Sequence, residues 1–170
     1  MTGPVDPKRL AWLLRHRAAA LELYARQFCQ CAEDVVQEAV VELAALRERP
    51  RDDVGWLYAV VRHKALTAAR GEGRRKRREE RAAEGRLEAY SGTAEESVEA
   101  RLAAAALEAL PDRQREIVVA HIWGDLTFEQ IGTLVGMSSS SAHRQYQAAL
   151  AAIRTRLNVS CPENPKTKNW

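Results

Sequence analysis

The sequence predicts an all-α protein made of two small helical domains joined by a flexible linker. Three observations carry this expectation. Ala and Arg are abundant, aromatics reach only 6%, and runs of Val, Ile and Thr of the kind that form strands are scarce. Apolar residues recur at three- and four-residue spacings through most of the chain, which is the period of an amphipathic helix. Between two such stretches, residues 83–94 contain Gly85, Ser91 and Gly92 and lack a stable apolar face, as a linker does. A length of 170 residues has room for one ordinary domain or two small ones, and 46% hydrophobic with 29% charged residues is a globular composition.

The first domain is expected over residues 5–82. Asp6-Pro7 reads as an N-cap followed by Pro at the first helical position. The helix it starts runs to about Phe28, with Leu10, Leu13, Leu14, Leu21 and Tyr24 as its apolar stripe. A second helix covers about Ala32 to Arg47, with Val36, Val40, Leu43 and Leu46 inward. Pro50 and Arg51-Asp52-Asp53 form a loop and a new N-cap. The third helix runs from about Val54 to Arg70 and buries Leu57, Val60 and Val61. An extension into the Arg-rich tract stands as the alternative, with Gly71 and Gly73 weakening the helix there.

The second domain is expected over residues 95–158, followed by a disordered tail at 159–170. Leu102, Ala105, Ala106 and Ala109 give its first helix a face of mostly small residues, and Leu110-Pro111 stops it and opens the next. Ile117, Val118 and Ile122 carry that helix to Trp123-Gly124. Thr127 and Gln130 form a capping box, and Ile131, Leu134 and Val135 are the buried face of a short helix. Gly136 ends it as a left-handed terminator, and Ser138 caps a longer helix with Ala142, Tyr146, Leu150, Ile153 and Leu157 inward. Short capped helix, Gly turn and longer capped helix make up a helix-turn-helix.

Charge is distributed unevenly along the chain. Between Arg62 and Arg81 nine Lys/Arg stand against three Glu, whereas between Glu84 and Glu108 two Arg stand against six Glu. The basic block is a candidate polyanion site. On the last helix, Ser139, Ser140, His143, Arg144 and Gln147 point away from the apolar stripe, and the helix contains no acid. Hydroxyl, amide and guanidinium groups are what base edges and phosphates require, so this face is read as a DNA-binding one. Arg62, His63, Lys64 and Arg70 lie on the helix that leads into Arg74-Arg75-Lys76-Arg77-Arg78, where a basic face would follow a phosphate backbone. Trp56 and Tyr58 begin that helix, and stacking on an unpaired base stands beside core packing as the reading of Trp56. In the second helix Asp34, Glu38 and Glu42 stack at i, i+4 and i+8 with Gln37 beside them. That pattern suits either a solvated acidic face or a basic partner.

Enzymatic patterns are lacking: the sequence has no GxxxxGK, GxGxxG, HExxH or GxSxG motif. Cys29, Cys31 and Cys161 fit neither a disulfide framework nor zinc spacing, so no metal, cofactor or catalytic residue is expected. With no apolar h-region in Met1 to Lys8 and no run of membrane-span length, a cytoplasmic, non-enzymatic DNA-binding protein is expected.

Two segments carry a family resemblance. The first is Leu23-Tyr24-Ala25-Arg26 through Ala32-Glu33-Asp34-Val35-Val36-Gln37-Glu38, with Trp56-Leu57-Tyr58-Ala59-Val60-Val61-Arg62-His63-Lys64-Ala65 and the Arg run. The second is Leu107-Glu108-Ala109-Leu110-Pro111-Asp112-Arg113-Gln114-Arg115-Glu116-Ile117, with Gly124-Asp125-Leu126-Thr127-Phe128-Glu129-Gln130-Ile131-Gly132 and Leu134-Val135-Gly136-Met137-Ser138. They resemble regions two and four of bacterial RNA polymerase sigma factors of the extracytoplasmic-function type. The resemblance implies a three-helix promoter-melting domain followed by a helix-turn-helix domain. It implies that Asp34, Gln37 and Glu38 dock on core RNA polymerase. It also implies that the loop from Arg49 to Asp53, with Trp56, Arg62, His63, Lys64, Arg70, Arg74 and Arg75, meets the non-template strand of the minus-ten element. Ser139, Ser140, His143, Arg144 and Gln147 would then read the minus-thirty-five element. Promoter DNA and core polymerase are the implied partners, and an anti-sigma factor is left open.

Overall fold

The N-terminal cap forms as the sequence predicts: the Asp6 side chain accepts a hydrogen bond from the Lys8 amide at 3.1 Å, with Pro7 in the first turn. A computed structural model of the chain describes residues 3–80 and 98–157. The expected linker at 83–94 and tail at 159–170 lie outside the described residues. Within them the fold is all-helical: α1 (Pro7–Arg26), α2 (Ala32–Ala45), α3 (Asp53–Glu80), α4 (Val98–Glu108), α5 (Asp112–Ile122), α6 (Phe128–Val135) and α7 (Ser139–Leu157).

Helices α1 to α3 pack on one another around Leu13, Leu21, Tyr24, Val36, Leu43, Leu57 and Val61. Leu14, expected inward, is 46% exposed, because it lies about 100° round the helix from Leu13, off the buried stripe. Asp52 caps α3 by accepting from the Gly55 amide at 2.9 Å. Asp53 behind it is buried and held by two guanidinium groups: Arg9 in a two-pronged pair at 2.8 and 2.9 Å, and Arg49 at 2.8 Å. The Arg9 hydrogen bonds, more than the opposing desolvation, hold the Asp53 carboxyl below its usual range. α3 continues through Gly71 and Gly73 to Glu80, the longer of the two expected extents. Each Gly costs about 1 kcal/mol against Ala, and the Arg, Lys and Glu residues around them are good helix formers.

In the second half α4, α5 and α6 all pack against α7. The inward face of α4 differs from expectation. Leu102, Ala105 and Ala109 are exposed, while Ala106 is buried and Leu107 and Leu110 face the α7 cluster of Ala149, Ala152 and Ile153. The large side chains Leu107 and Leu110 outweigh the small-residue stripe in burying area against α7. The turn between α6 and α7 forms as read: Thr127 and Gln130 make both bonds of the capping box, and Gly136 has φ 73°. Gly132 is needed for a second reason, because a Cβ there would stand 2.7 Å from the Met137 carbonyl oxygen. Small size at Gly132 lets α6 seat directly on the start of α7.

The two halves pack against each other. Ile117, Val119, Ala120, Leu126 and Ile131 belong to the same buried cluster as Leu13, Tyr24, Leu57 and Tyr58. Contact runs from α1 to α5 and from α3 to α6.

Candidate nucleic-acid interface and acidic docking face

The recognition face forms from the caps upward. The Ser138 hydroxyl accepts from the Ser141 amide at 3.2 Å and starts α7, while Ala142 and Ala149 are buried and Tyr146, Leu150 and Ile153 half-buried. This rotation leaves Ser139, Ser140, His143, Arg144 and Gln147 all exposed along the opposite side. His143 is placed by the edge of Phe128 at a ring separation of 4.9 Å, and Gln147 lies 3.3 Å from its Nε2. The structure brings this set together as one polar, acid-free surface at the N-terminal end of a helix. Such a surface has the donors for phosphate oxygens and base edges. Arg113 of α5 donates to the Val135 carbonyl, which fixes the end of α6 against α5 behind the turn.

The basic face of α3 is divided. His63 and Arg70 are exposed, and Trp56 is half-buried at the start of the helix. Tyr58 is fully buried, edge-on to Tyr24 at 5.0 Å, and so is not available for stacking in this arrangement. Arg74 and Arg75 continue the helical backbone, but their side chains lie outside the described residues. Two residues expected on this face are engaged elsewhere. Lys64 Nζ lies 3.2 Å from Glu38 Oε2 and 3.3 Å from Glu42 Oε2, and the hydrogen bond to Glu38 raises its pKa above the usual lysine value. Arg62 Nε donates to Glu116 Oε1 of α5 at 2.6 Å. The Tyr24 hydroxyl donates to the same oxygen at 2.6 Å. Burial above all, and then the Glu116 charge, pushes the Tyr24 phenol far above its ordinary value, so it remains a donor.

On α2, Asp34, Gln37 and Glu38 are exposed together, as the i, i+3, i+4 spacing requires. With Val41, Glu42, Ala45 and Lys64 they line an open groove between α2 and α3. Val41 is 67% exposed in the middle of it. The groove joins carboxylates with the apolar side chains of Val41 and Ala45, which suits a basic surface. No group of three or more His, Cys, Asp or Glu among the described residues is arranged to hold a metal ion. No helix among them is long and apolar enough to cross a membrane.

Sequence reasoning missed Glu116, Arg17 and the Gln130–Asp52 contact, all of which act across the two halves. Arg17 donates to the Gly124 carbonyl at 3.1 Å, and Gln130 Nε2 donates to Asp52 Oδ2 at 2.7 Å. The one sequence signal was Glu116 itself, an acid directly preceding the apolar run Ile117-Val118-Val119.

Residues 92–153 match the family described as sigma-70, region 4. The chain is 27% identical over 133 residues to proteins named ECF RNA polymerase sigma factor SigD from Mycobacterium tuberculosis and Mycobacterium bovis. That match takes in 74% of this chain and 63% of those relatives' length. Among solved structures, the chain resembles the sigma factor RpoE bound to the anti-sigma factor NepR from Bartonella quintana. The TM-score is 0.66 at 19% identity, over 91% of this chain and 99% of that one. It also resembles CnrH in complex with the cytosolic domain of CnrY, with a TM-score of 0.58 at 21% identity over 92% of each chain. At these identities the two structures bear on the fold.

Proposed function

We propose that this chain, which belongs to the extracytoplasmic-function group of the sigma-70 family, is a promoter-recognition subunit of bacterial RNA polymerase. The observation that carries the reading is the capped helix-turn-helix with its exposed, acid-free α7 face, lying inside the region-four match. In this reading α7 enters the major groove of the minus-thirty-five element, with Arg144, His143, Gln147, Ser139 and Ser140 toward base edges and phosphates. Trp56, Arg62, His63, Arg70, Arg74 and Arg75, with the loop from Arg49 to Asp53, take the non-template strand of the minus-ten element. Asp34, Gln37 and Glu38 dock on a basic surface of core polymerase. The working site is the cytoplasm, where polymerase and promoter DNA are found.

The chemistry is differential binding. Extruding a base from the duplex costs a few kcal/mol. A surface that holds the unstacked strand better than the duplex lowers that cost without making or breaking a covalent bond. Core polymerase positions the two halves on one promoter and makes the RNA. One structural neighbour is bound to an anti-sigma factor, and a regulator of that class is proposed as a further partner.

Run-off transcription with purified bacterial core polymerase on a pool of genomic promoter fragments tests the proposal. Initiation at discrete start sites only when the protein is added is the expected result. Core binding without initiation would make the chain a non-initiating relative. Absence of both would leave a DNA-binding protein that works without polymerase.

A further inference from the structure

We propose that the outer face of α1 is a further site for single-stranded DNA, with Trp12 as a stacking platform and Lys8, Arg9, Arg15 and His16 around it for the phosphates. The inference rests on the reading of the loop from Arg49 to Asp53 as a contact for the minus-ten strand, because the α1 face continues that loop.

Between Pro7 and Leu21, α1 carries Lys8, Arg9, Arg15 and Arg17 and no acid. Lys8, Arg9, Arg15 and His16 are the i−4, i−3, i+3 and i+4 neighbours of Trp12, so every position bordering it along the helix surface is basic. Trp12 is 37% exposed, and Lys8, Arg15 and His16 are exposed around it. Among the described residues neither Lys8 nor Arg15 forms an ion pair. Like charges at these spacings disfavour a helix, and Trp is mostly buried on average, so both features run against stability alone. A ligand with negative charge and flat rings answers both. Single-stranded DNA is such a ligand.

The indole is held in place by its neighbours. The Arg9 guanidinium lies over it at 4.4 Å from the ring centroid, and the His16 ring lies 4.9 Å away at 17° to it. His16 is fixed in turn, because its Nδ1 donates to the Trp12 carbonyl at 3.0 Å. Arg9 donates to the buried Asp53 carboxylate through Nε and Nη2, and Arg49 reaches the same carboxylate from the loop. That arrangement leaves Nη1 of Arg9 for a phosphate oxygen. Asp53 thereby joins the α1 face to the loop as one continuous surface. From Arg9 to His16 this face runs about 10 Å at the helical rise. That is the length of about three nucleotide steps in a stacked strand. A strand leaving the loop crosses onto α1 with a base on the aromatic stack and its phosphates on the flanking cations.

The test uses the full chain with Trp12→Ala, Trp12→Phe and Arg15→Ala. Binding is measured on a mixed-sequence single-stranded DNA oligonucleotide over a range of salt, on the same sequence as duplex, and on purified core polymerase. Trp12→Ala is expected to hold the single strand about tenfold more weakly at an unchanged salt dependence, the scale of one lost base stack. Trp12→Phe keeps an aromatic face and should stay within about threefold of wild type. Arg15→Ala should lower the slope of log affinity against log salt by about 0.7, the share of one phosphate contact on a single strand. Duplex and core binding should be unchanged in all three, because α7 and the α2 groove are intact. Should Trp12→Ala fail to fold, Arg15→Ala, at an exposed position, carries the test.

Absence of strand binding by wild type would overturn the proposal. So would wild-type strand affinity in Trp12→Ala, or an unchanged salt slope in Arg15→Ala. Loss of core binding in Trp12→Ala at unchanged strand affinity would make this face a protein contact instead. The transcription assay separates the two readings. Core-dependent initiation by wild type, with undiminished strand binding in the variants, removes the α1 site alone. Weakened strand binding in Trp12→Ala without initiation by wild type keeps the site and removes the sigma reading alone.

Discussion

Lys64 lies on the basic helix α3, yet its ammonium sits between Glu38 and Glu42 of α2. Sequence spacing places it beside Arg62 and His63, because periodicity reports a face of its own helix but not the charge on the neighbour. In the proposed docking groove it competes with the incoming cation for the same carboxylates. Lys64→Met is therefore expected to tighten core polymerase binding about threefold, the scale of an exposed ion pair, and to leave single-strand DNA binding unchanged. Loss of DNA binding at unchanged core affinity would return Lys64 to the DNA face. Asp53 supports a second prediction. Its carboxyl is held low by Arg9 and Arg49. The unfolded chain therefore takes up the proton first as pH falls, and the stabilisation is present above about pH 4 and lost as pH drops through the folded value. Denaturant midpoints should fall steeply below about pH 4 in wild type and more gently in Asp53→Asn, which starts lower. Parallel acid arms in the two proteins would show that Asp53 is not the group responsible.

The helices themselves were largely legible, because each signal acts within a few residues. Asp6-Pro7, the Thr127–Gln130 box, Gly136 and Ser138 all do what local backbone chemistry requires of them. The misreadings have a common cause. Leu14, Leu102, Ala105 and Ala109 obey a helical period, but which arc of a helix is covered depends on the helix packed against it. Whether α3 stops near Arg70 or extends into the Arg-rich tract was open in the sequence, and it extends because two Gly residues weigh less than the helix formers around them. At this scale Gly132 offers the sharpest test. Gly132→Ala drives a methyl against the Met137 carbonyl, a backbone atom that cannot swing aside, and should cost about 1–3 kcal/mol. Thr127→Ala, which removes only the cap, should cost about 1 kcal/mol. Thermal melts in which Gly132→Ala matches wild type would mean that the α6–α7 turn relaxes more freely than its geometry indicates. Arg144→Ala should weaken duplex binding while leaving core binding intact; equal loss of both would break the assignment of separate surfaces to the two halves.

The arrangement of the whole molecule was the least legible level. Tyr24 and Glu116 are 92 positions apart, Arg17 and Gly124 are 107 apart, and Asp52 and Gln130 are 78 apart. Nothing in a single sequence pairs residues at such distances, so reading it as two domains on a linker left their mutual placement open. Their joining into one buried cluster has a measurable consequence. Ile117, Val119, Leu126 and Ile131 share that cluster with Leu57 and Tyr58, so unfolding either half exposes apolar surface on the other. The coupling is expected to make wild-type thermal unfolding a single transition, with calorimetric and van't Hoff enthalpies equal. Arg17→Ala with Glu116→Gln removes the Arg17 tie and the charge of the Glu116 tie across the boundary, leaving Gln130 on Asp52. The remaining contacts then compete with the freedom of two tethered bodies. That double variant is expected to melt in two steps, because each half keeps packing of its own: Leu13, Leu21, Leu43 and Leu57 in one, and Leu110, Val118 and Ala149 in the other. Two transitions in wild type would show that the cluster is thermodynamically divided, whereas a single transition in both proteins would place the coupling in the apolar contact rather than in its ion pairs.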